Sequence, residues 1–268
     1  MRIVVKIGGE LIKSSLENVS SDTVKVAAEN EVIYVHGGAK IVNEISEKLG
    51  KKPEFVVSPT GSRSRYTDKE TMEIFEMVMA GKANKKVVEA LLAKGLKPVG
   101  LTGIDGKLII AERKKVLKVK KDNKIIKIDG GYTGKVDKVD PTLIELLLKN
   151  GYIPVIAPIA LSYENEPLNI DADRAAANIA GAVKADILIF LTDVDGVLDK
   201  DGKIISKIPA ESVDNLREQV GFGMEKKILA TSEALQMGVR KIVIASGKID
   251  APITNALTGE RRTVIAYE

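Results

Sequence analysis

The chain has 268 residues, 44% hydrophobic and 29% charged, the composition of a globular protein with room for a large α/β core. It has no cysteine and one histidine, His36, which excludes disulfides, thiolate metal sites, cysteine nucleophiles and histidine-rich metal centres. The net charge of +4 is uneven: Arg113 to Lys127 holds eight basic residues against one acidic, a local +7 that leaves about −3 for the rest.

The first ten residues are an apolar run, Met1 to Ile7, broken only by Arg2 and Lys6 and closed by Gly8-Gly9. Continuous Ile and Val predict a strand buried on both faces of a parallel sheet. The run is too short for a membrane span and lacks a signal-peptide layout, so a soluble, cytoplasmic protein is expected. The next unit repeats the pattern. Ser21-Asp22 can cap a short helix through Ala28, and a strand over Val32 to Val35 runs into His36-Gly37-Gly38-Ala39. Bare backbone at Gly8, Gly9, Gly37 and Gly38, with Lys6 nearby, could cradle a phosphate chain. The same glycines could equally be tight strand-to-helix turns.

Ala39 to Leu49 reads as a helix ended by Gly50, followed by an extended stretch to Val57 and a loop through Tyr66. A long helical pattern, capped by Thr67 or Asp68, runs to Lys94 and stops at Gly95. Met72, Phe75 and Met79 form one apolar stripe and Ile74 and Val78 another, which predicts packing on the sheet and also on a second subunit, hence a homodimer. A strand at Pro98 to Leu101 leads into a β-rich region through Ile128. The basic segment forms a hairpin there, turning at Lys121 to Lys124. That hairpin is either solvated surface or a docking site for an acidic partner. Nucleic acid is disfavoured because no aromatic residue interleaves its lysines. Gly130-Gly131-Tyr132-Thr133-Gly134-Lys135 falls one residue short of a Walker loop.

Helices are expected at Thr142 to Leu148, from Asp171 to about Val183, at Ser212 to Gln219 and at Lys226 to Met237. Strands are expected at Ile153 to Ile156, Ile187 to Leu191, Ile242 to Ala245 and Thr263 to Tyr267. Alternation at this spacing predicts one domain over 1–268, a three-layer α/β/α sandwich around a mostly parallel sheet. Asp171 is a natural N-cap, and Asp173 suits a helix start for dipole reasons alone; an acidic group among lysines could also hold their ammonium groups in place.

Taken together, Val5-Lys6-Ile7-Gly8-Gly9, His36-Gly37-Gly38, Arg65-Tyr66-Thr67-Asp68, Asn169-Ile170-Asp171-Ala172-Asp173, Thr192-Asp193-Val194-Asp195-Gly196 and Gly223-Met224-Glu225-Lys226-Lys227 resemble the amino acid kinase superfamily, nearest its N-acetylglutamate kinase branch. Ser58-Pro59-Thr60-Gly61 and Ser64 to Asp68 resemble the kinases that act on aminoadipate or glutamate attached to the amino-group carrier protein LysW. The resemblance implies transfer of the γ-phosphate of ATP, with Mg2+ carried on the nucleotide and no protein metal site, to a side-chain carboxylate in lysine or arginine biosynthesis.

By that resemblance, Lys6, Asp173 and Lys227 are the catalytic set, with Lys226 a rival for the place of Lys227. Gly8, Gly9, Gly37 and Gly38 meet phosphate, Gly37, Gly38, Arg65 and Asn169 meet the acceptor, and Thr192, Asp193, Val197 and Pro209 line the nucleotide pocket. A lobe over about 1–170 would serve the carboxylate and one over about 171–268 the ATP. The chain starts at its first strand, without the extension that resembles an arginine-sensing element in some relatives, so a dimer without arginine feedback is expected. Arg113 to Lys127 would dock acidic LysW. A kinase of free N-acetylglutamate would use the same sites without the hairpin, and a nucleotide-binding sensor would have no need of Lys6, Asp173 and Lys227 together.

Overall fold

The computed structural model describes residues 1–122, 124–216, 220–221 and 223–267. The first half contains β1 (Arg2–Ile7), α1 (Gly9–Ser14), α2 (Leu16–Ala27), β2 (Glu31–His36), α3 (Ala39–Lys48), β3 (Phe55–Val57) and β4 (Arg63–Arg65). Helix α4 (Lys69–Glu76) continues through a π-helical segment (Met77–Ala83) into α5 (Asn84–Leu92). Then come β5 (Pro98–Thr102), β6 (Ile109–Arg113), the hairpin β7 (Val116–Lys121) and β8 (Lys124–Asp129), β9 (Gly134–Val139), α6 (Thr142–Lys149) and β10 (Ile153–Ala157). The chain ends with β11 (Ile159–Leu161), β12 (Pro167–Asn169), α7 (Ala172–Ala182), β13 (Ile187–Thr192), β14 (Lys207–Pro209), α8 (Val213–Leu216), α9 (Met224–Gln236), β15 (Lys241–Ser246), α10 (Pro252–Thr258) and β16 (Arg262–Ala266).

Eight strands make one sheet in the order β14-β16-β15-β13-β1-β2-β10-β5. The six from β15 to β5 are parallel, and β16 with β14 runs the other way. Side chains alternate across this sheet, so each strand feeds two cores. Val4, Ile33, Leu188 and Ile244 pack under α6, α7 and α9. Ile3, Val5, Tyr34 and Ile189 pack under α1 to α5 and α10. This is the three-layer sandwich that the alternation of elements implies. Neighbours β1 and β13 send their chains in opposite directions, to β2 and to β15 by way of α9. Such a switch point opens a crevice at the carboxyl ends of the strands.

The differences from expectation have local causes. Ser21 and Asp22 do not start a helix. They lie inside α2, and buried Asp22 instead caps α10, accepting from the N–H of Ile253 (2.6 Å) and Thr254 (2.8 Å). The long helix is interrupted by its π turns, and both apolar stripes, including Ile74 and Val78, are buried in this chain's own core. The stripes therefore do not call for a second subunit. In the expected helix over Ser212 to Gln219, α8 covers Val213–Leu216, and 217–219 lie outside the described residues, as does Asn123 in the hairpin turn.

Candidate active site

Lys6 projects from β1 on the same face as Val4, between Val35 and Phe190 of the flanking strands. That face lies under α7, whose N-cap Asp171 accepts from the backbone N–H of Asp173 (3.0 Å) and Arg174 (3.1 Å). The cap fixes the first turn and so aims Asp173 at Lys6: Lys6 Nζ lies 2.7 Å from Asp173 Oδ1, and Lys227 Nζ, from α9, lies 3.5 Å from Oδ2. All three side chains are at most 13% exposed. Burial alone would raise the Asp173 carboxyl, but the two ammonium groups outweigh it and hold the group below the usual carboxylate range. Burial, and then repulsion from Lys6, push the Lys227 ammonium down. Neighbouring Lys226 turns elsewhere, donating to the Arg63 carbonyl (3.1 Å) and lying 4.0 Å from Asp171. The geometry thus puts Lys227, not Lys226, beside Asp173.

The glycine loops meet backbone to backbone at the ends of β1 and β2. A Cβ on Gly9 would fall 2.8 Å from Gly38 N, and one on Gly37 3.1 Å from Gly9 N, so no side chain fits there. The four N–H groups are not equivalent. Gly8 donates to Leu191 O (3.1 Å) and Gly37 to Ile7 O (2.8 Å), extending the ladder. Gly9 and Gly38 instead open α1 and α3, where first-turn N–H groups have no intrahelical acceptor. They are the better placed pair for an anion. Gly8 and Gly37 thus serve as turns that extend the ladder, and only Gly9 and Gly38 have N–H groups that a phosphate cradle could use.

Arg65, at the end of β4, is 8% exposed. Its Nη2 donates to Ala39 O (3.0 Å) and to Asn43 Oδ1, while Nη1 is enclosed and has no partner among the described residues. An orphaned guanidinium N–H in an enclosed place is a ready site for a carboxylate oxygen. Asn169 Nδ2 donates to Thr67 Oγ1 (2.9 Å), and beside it Thr133 Oγ1 is likewise enclosed and unpartnered among the described residues. Asn43, Thr133 and Thr67 were not assigned to the acceptor from sequence, although Thr67 lies in the Arg65 to Asp68 motif and Thr133 in the Gly130 to Lys135 stretch. The stretch Gly130 to Lys135 is a wall, since Tyr132 N donates to Thr67 O (2.7 Å) and a Cβ on Gly131 would meet that carbonyl at 2.3 Å.

Thr192 and Asp193 lie at the end of β13, one strand from the first glycine loop, with Thr192 Oγ1 donating to Asp193 Oδ1 (3.1 Å). Val197 is buried, and its N–H donates to Thr263 Oγ1 (2.8 Å), three strands from Lys6 in the same register row. Pro209 stands apart. It is paired through Ala266, Lys241 and Ile187 to the row of Ile3, four strands out. Strand spacing puts it roughly 20 Å from Lys6; the reversal of β14, invisible in the sequence, carries it to the far edge. Two concavities of about 830 and 300 Å³ open at the amino ends of β1, β2 and β10, lined by Arg2, Glu31, Glu145 and Asp186, and by Asn30, Lys97 and Tyr152. Arg2 is already bonded to Glu31 and Glu145 there. No reactive set converges on either.

The basic segment divides in two. Arg113 belongs to the interior wall: it pairs with both oxygens of Glu166 (3.0 and 2.9 Å), donates to Gly131 O (2.8 Å) and stacks 4.4 Å over Tyr132. Lys118, Lys120, Lys121, Lys124 and Lys127 are exposed and make no ion pair among the described residues. Their hairpin packs through β7 on β3, partner of the strand that carries Arg65.

The sequence profile of the amino acid kinase family matches residues 1–246. A LysW-aminoadipate/LysW-glutamate kinase of Saccharolobus solfataricus is 44% identical over 257 residues, 95% of this chain and 96% of that one. A Nitrosopumilus maritimus protein provisionally given the same name is 48% identical over 267 residues, 99% of this chain and 100% of the other. The structure of N-acetylglutamate synthase from Neisseria gonorrhoeae, complexed with coenzyme A and N-acetyl-glutamate, superposes with a TM-score of 0.83 at 24% identity. It is matched by 100% of this chain, which spans 59% of that protein, and the likeness is one of fold.

Proposed function

The chain belongs to the amino acid kinase family, and from that footing we propose that it transfers the γ-phosphate of ATP to the side-chain carboxylate of aminoadipate or glutamate carried on LysW. The observation that carries this reading is the near full-length identity, 44% and 48%, to proteins named for that acceptor. A carboxylate oxygen forms a bond to the γ-phosphorus as the bond to the β,γ-bridging oxygen breaks, leaving an acyl phosphate and ADP. The nucleophile is already ionised, so no base is required and the protein's work is positioning and charge neutralisation.

In this reading the site residues take the following roles. Lys6 and Lys227 neutralise charge on the transferring group, and Asp173, held ionised between them, keeps their ammonium groups apart and aimed. The first-turn N–H groups of α1 and α3 face phosphoryl oxygens. The free edge of Arg65 grips the acceptor's α-carboxylate, with Asn169 and Thr133 beside it. Thr192, Asp193 and the Val197 turn border the nucleotide. In this reading Mg2+ would arrive on the triphosphate, with its ligands there. The strands through 157 thus serve the acceptor and those from 187 the nucleotide.

The setting is lysine synthesis, and arginine synthesis for the glutamate acceptor, in the cytoplasm; among the described residues no helix is long and apolar enough to cross a membrane. The exposed lysines of β7 and β8 steer the acidic carrier towards the Arg65 side of the crevice. Trapping the product with hydroxylamine tests the whole reading. Purified protein and MgATP should give hydroxamate from carrier-bound aminoadipate or glutamate and little from free N-acetylglutamate. Comparable yield from the free acceptor would displace the carrier from the reaction.

A further inference from the structure

Asn84 follows the π-helical segment directly and is 1% exposed. The extra residue in each π turn rotates the following helix relative to α4, and it brings this amide under the carboxyl ends of three strands. Asn84 Nδ2 donates to Val155 O of β10 (2.9 Å) and to His36 Nε2 of β2 (3.1 Å), and approaches Leu101 O of β5 (3.5 Å). On the other side of the ring, His36 Nδ1 lies 2.9 Å from Gly37 O. The Asn84 amide can only donate from its nitrogen, so Nε2 accepts and the proton sits on Nδ1, donating to the Gly37 carbonyl. The fit leaves no freedom: a Cβ on Gly100 would fall 2.0 Å from Asn84 Oδ1, and one on Gly38 2.7 Å from Sδ of Met79 in the π segment.

We propose that Asn84 is a positioning residue for phosphoryl transfer: by donating to His36 Nε2 it sets the Nδ1–H tautomer that fixes the Gly37 carbonyl, and so aims the Gly38 N–H. The proposal rests on the kinase reading above, since the Gly37-Gly38 turn then faces the moving phosphoryl group. The π segment completes the device, with Met79 closing the outer side of Gly38 and Asn84 the inner side of His36.

His36 is the single histidine of the chain, so its ring nitrogens can be read by nitrogen-15 NMR without ambiguity and without turnover. In the whole protein the expected state is a proton on Nδ1 and a bare Nε2 at neutral pH. Burial holds this imidazole down to about 4, and Lys6 and Lys85, the charged groups facing it, act in the same direction. In Asn84→Ala the Nδ1–H form is no longer enforced from the Nε2 side, a share of the rings carries the proton on Nε2, and turnover per folded molecule falls about tenfold or more, as for a misplaced transfer donor. The acid limb of turnover also moves to higher pH, because a ring no longer held by the Asn84 donor takes a second proton more readily. Asn84→Ser keeps a donor and should lie between the two. A wild-type proton on Nε2 overturns the proposal, as does an Asn84→Ala ring that keeps its proton wholly on Nδ1, or an unchanged turnover in a folded variant whose ring has changed tautomer. Absence of acyl phosphate from every form would instead strike the kinase reading and leave the tautomer result standing.

Discussion

Two sets of lysines sit in opposite surroundings in this molecule. Lys6 and Lys227 are buried around one carboxylate, their side chains 8% and 13% exposed, whereas the five lysines of β7 and β8 stand in solvent without an ion-pair partner among the described residues. In the enclosed set, each charge acts over a few ångströms and through fixed geometry, because little water screens it. The exposed set has no geometry to enforce. Its field reaches about 8–10 Å at physiological salt and fades as salt rises. In the proposed reading, location and not residue type decides whether a lysine stabilises a transition state or steers a partner.

Breaking the enclosed set should give the largest effect. Lys6→Met or Lys227→Met is expected to lower turnover on the order of 10²- to 10³-fold, measured as hydroxamate formed with saturating carrier-bound acceptor. A loss below tenfold for both would remove them from the transfer step. Reversing Lys118, Lys120 and Lys121 to glutamate should reach a different parameter. KM for the carrier-bound acceptor rises roughly tenfold at low salt, the difference shrinks near 0.5 M salt, and the KM for ATP stays put. Equal loss on both substrates would return the hairpin to plain solvated surface.

Titration separates the sets further. Because burial and Lys6 lower the Lys227 pKa, turnover should fall on the alkaline side before an ordinary lysine loses its proton near 10.4. The charge-reversed hairpin should share that alkaline limb with the wild type; a limb shifted by the hairpin variant would tie it to the chemistry. The smallest effect is expected at Arg113, which lies in the basic stretch but belongs to the interior wall. Arg113→Ala should leave the salt dependence of carrier KM unchanged and cost about 1 kcal/mol, a shift of a few degrees in Tm.

The sheet was legible because a strand buried on both faces has no polar alternation: β1, β2, β13 and β15 all read from their Ile and Val runs. Asp171 and Asp68 were legible as caps because the backbone N–H groups that donate to them lie three residues or fewer away. Asp22 was not, since the helix it caps begins at Pro252, and a bond across 231 residues leaves no local pattern. Helix α10 went unread for the same reason. In the site, Lys226 and Lys227 became distinct only once the helical rotation of α9 turned one towards Asp173 and the other towards Arg63. Asn84 had no signal, because its place depends on a π turn that the hydrophobic spacing does not encode.

The most direct test follows oxygen atoms. Carrier-bound aminoadipate labelled with oxygen-18 in its side-chain carboxylate would be incubated with enzyme and MgATP, the product split by hydroxylamine, and the released phosphate analysed by mass. Attack by the carboxylate on the γ-phosphorus predicts one labelled oxygen in each phosphate released with a hydroxamate, and roughly 10²- to 10³-fold less of that labelled phosphate per unit time from the Lys6→Met protein. Phosphate released without label, or ATP consumed without hydroxamate, would contradict carboxylate phosphorylation at this site.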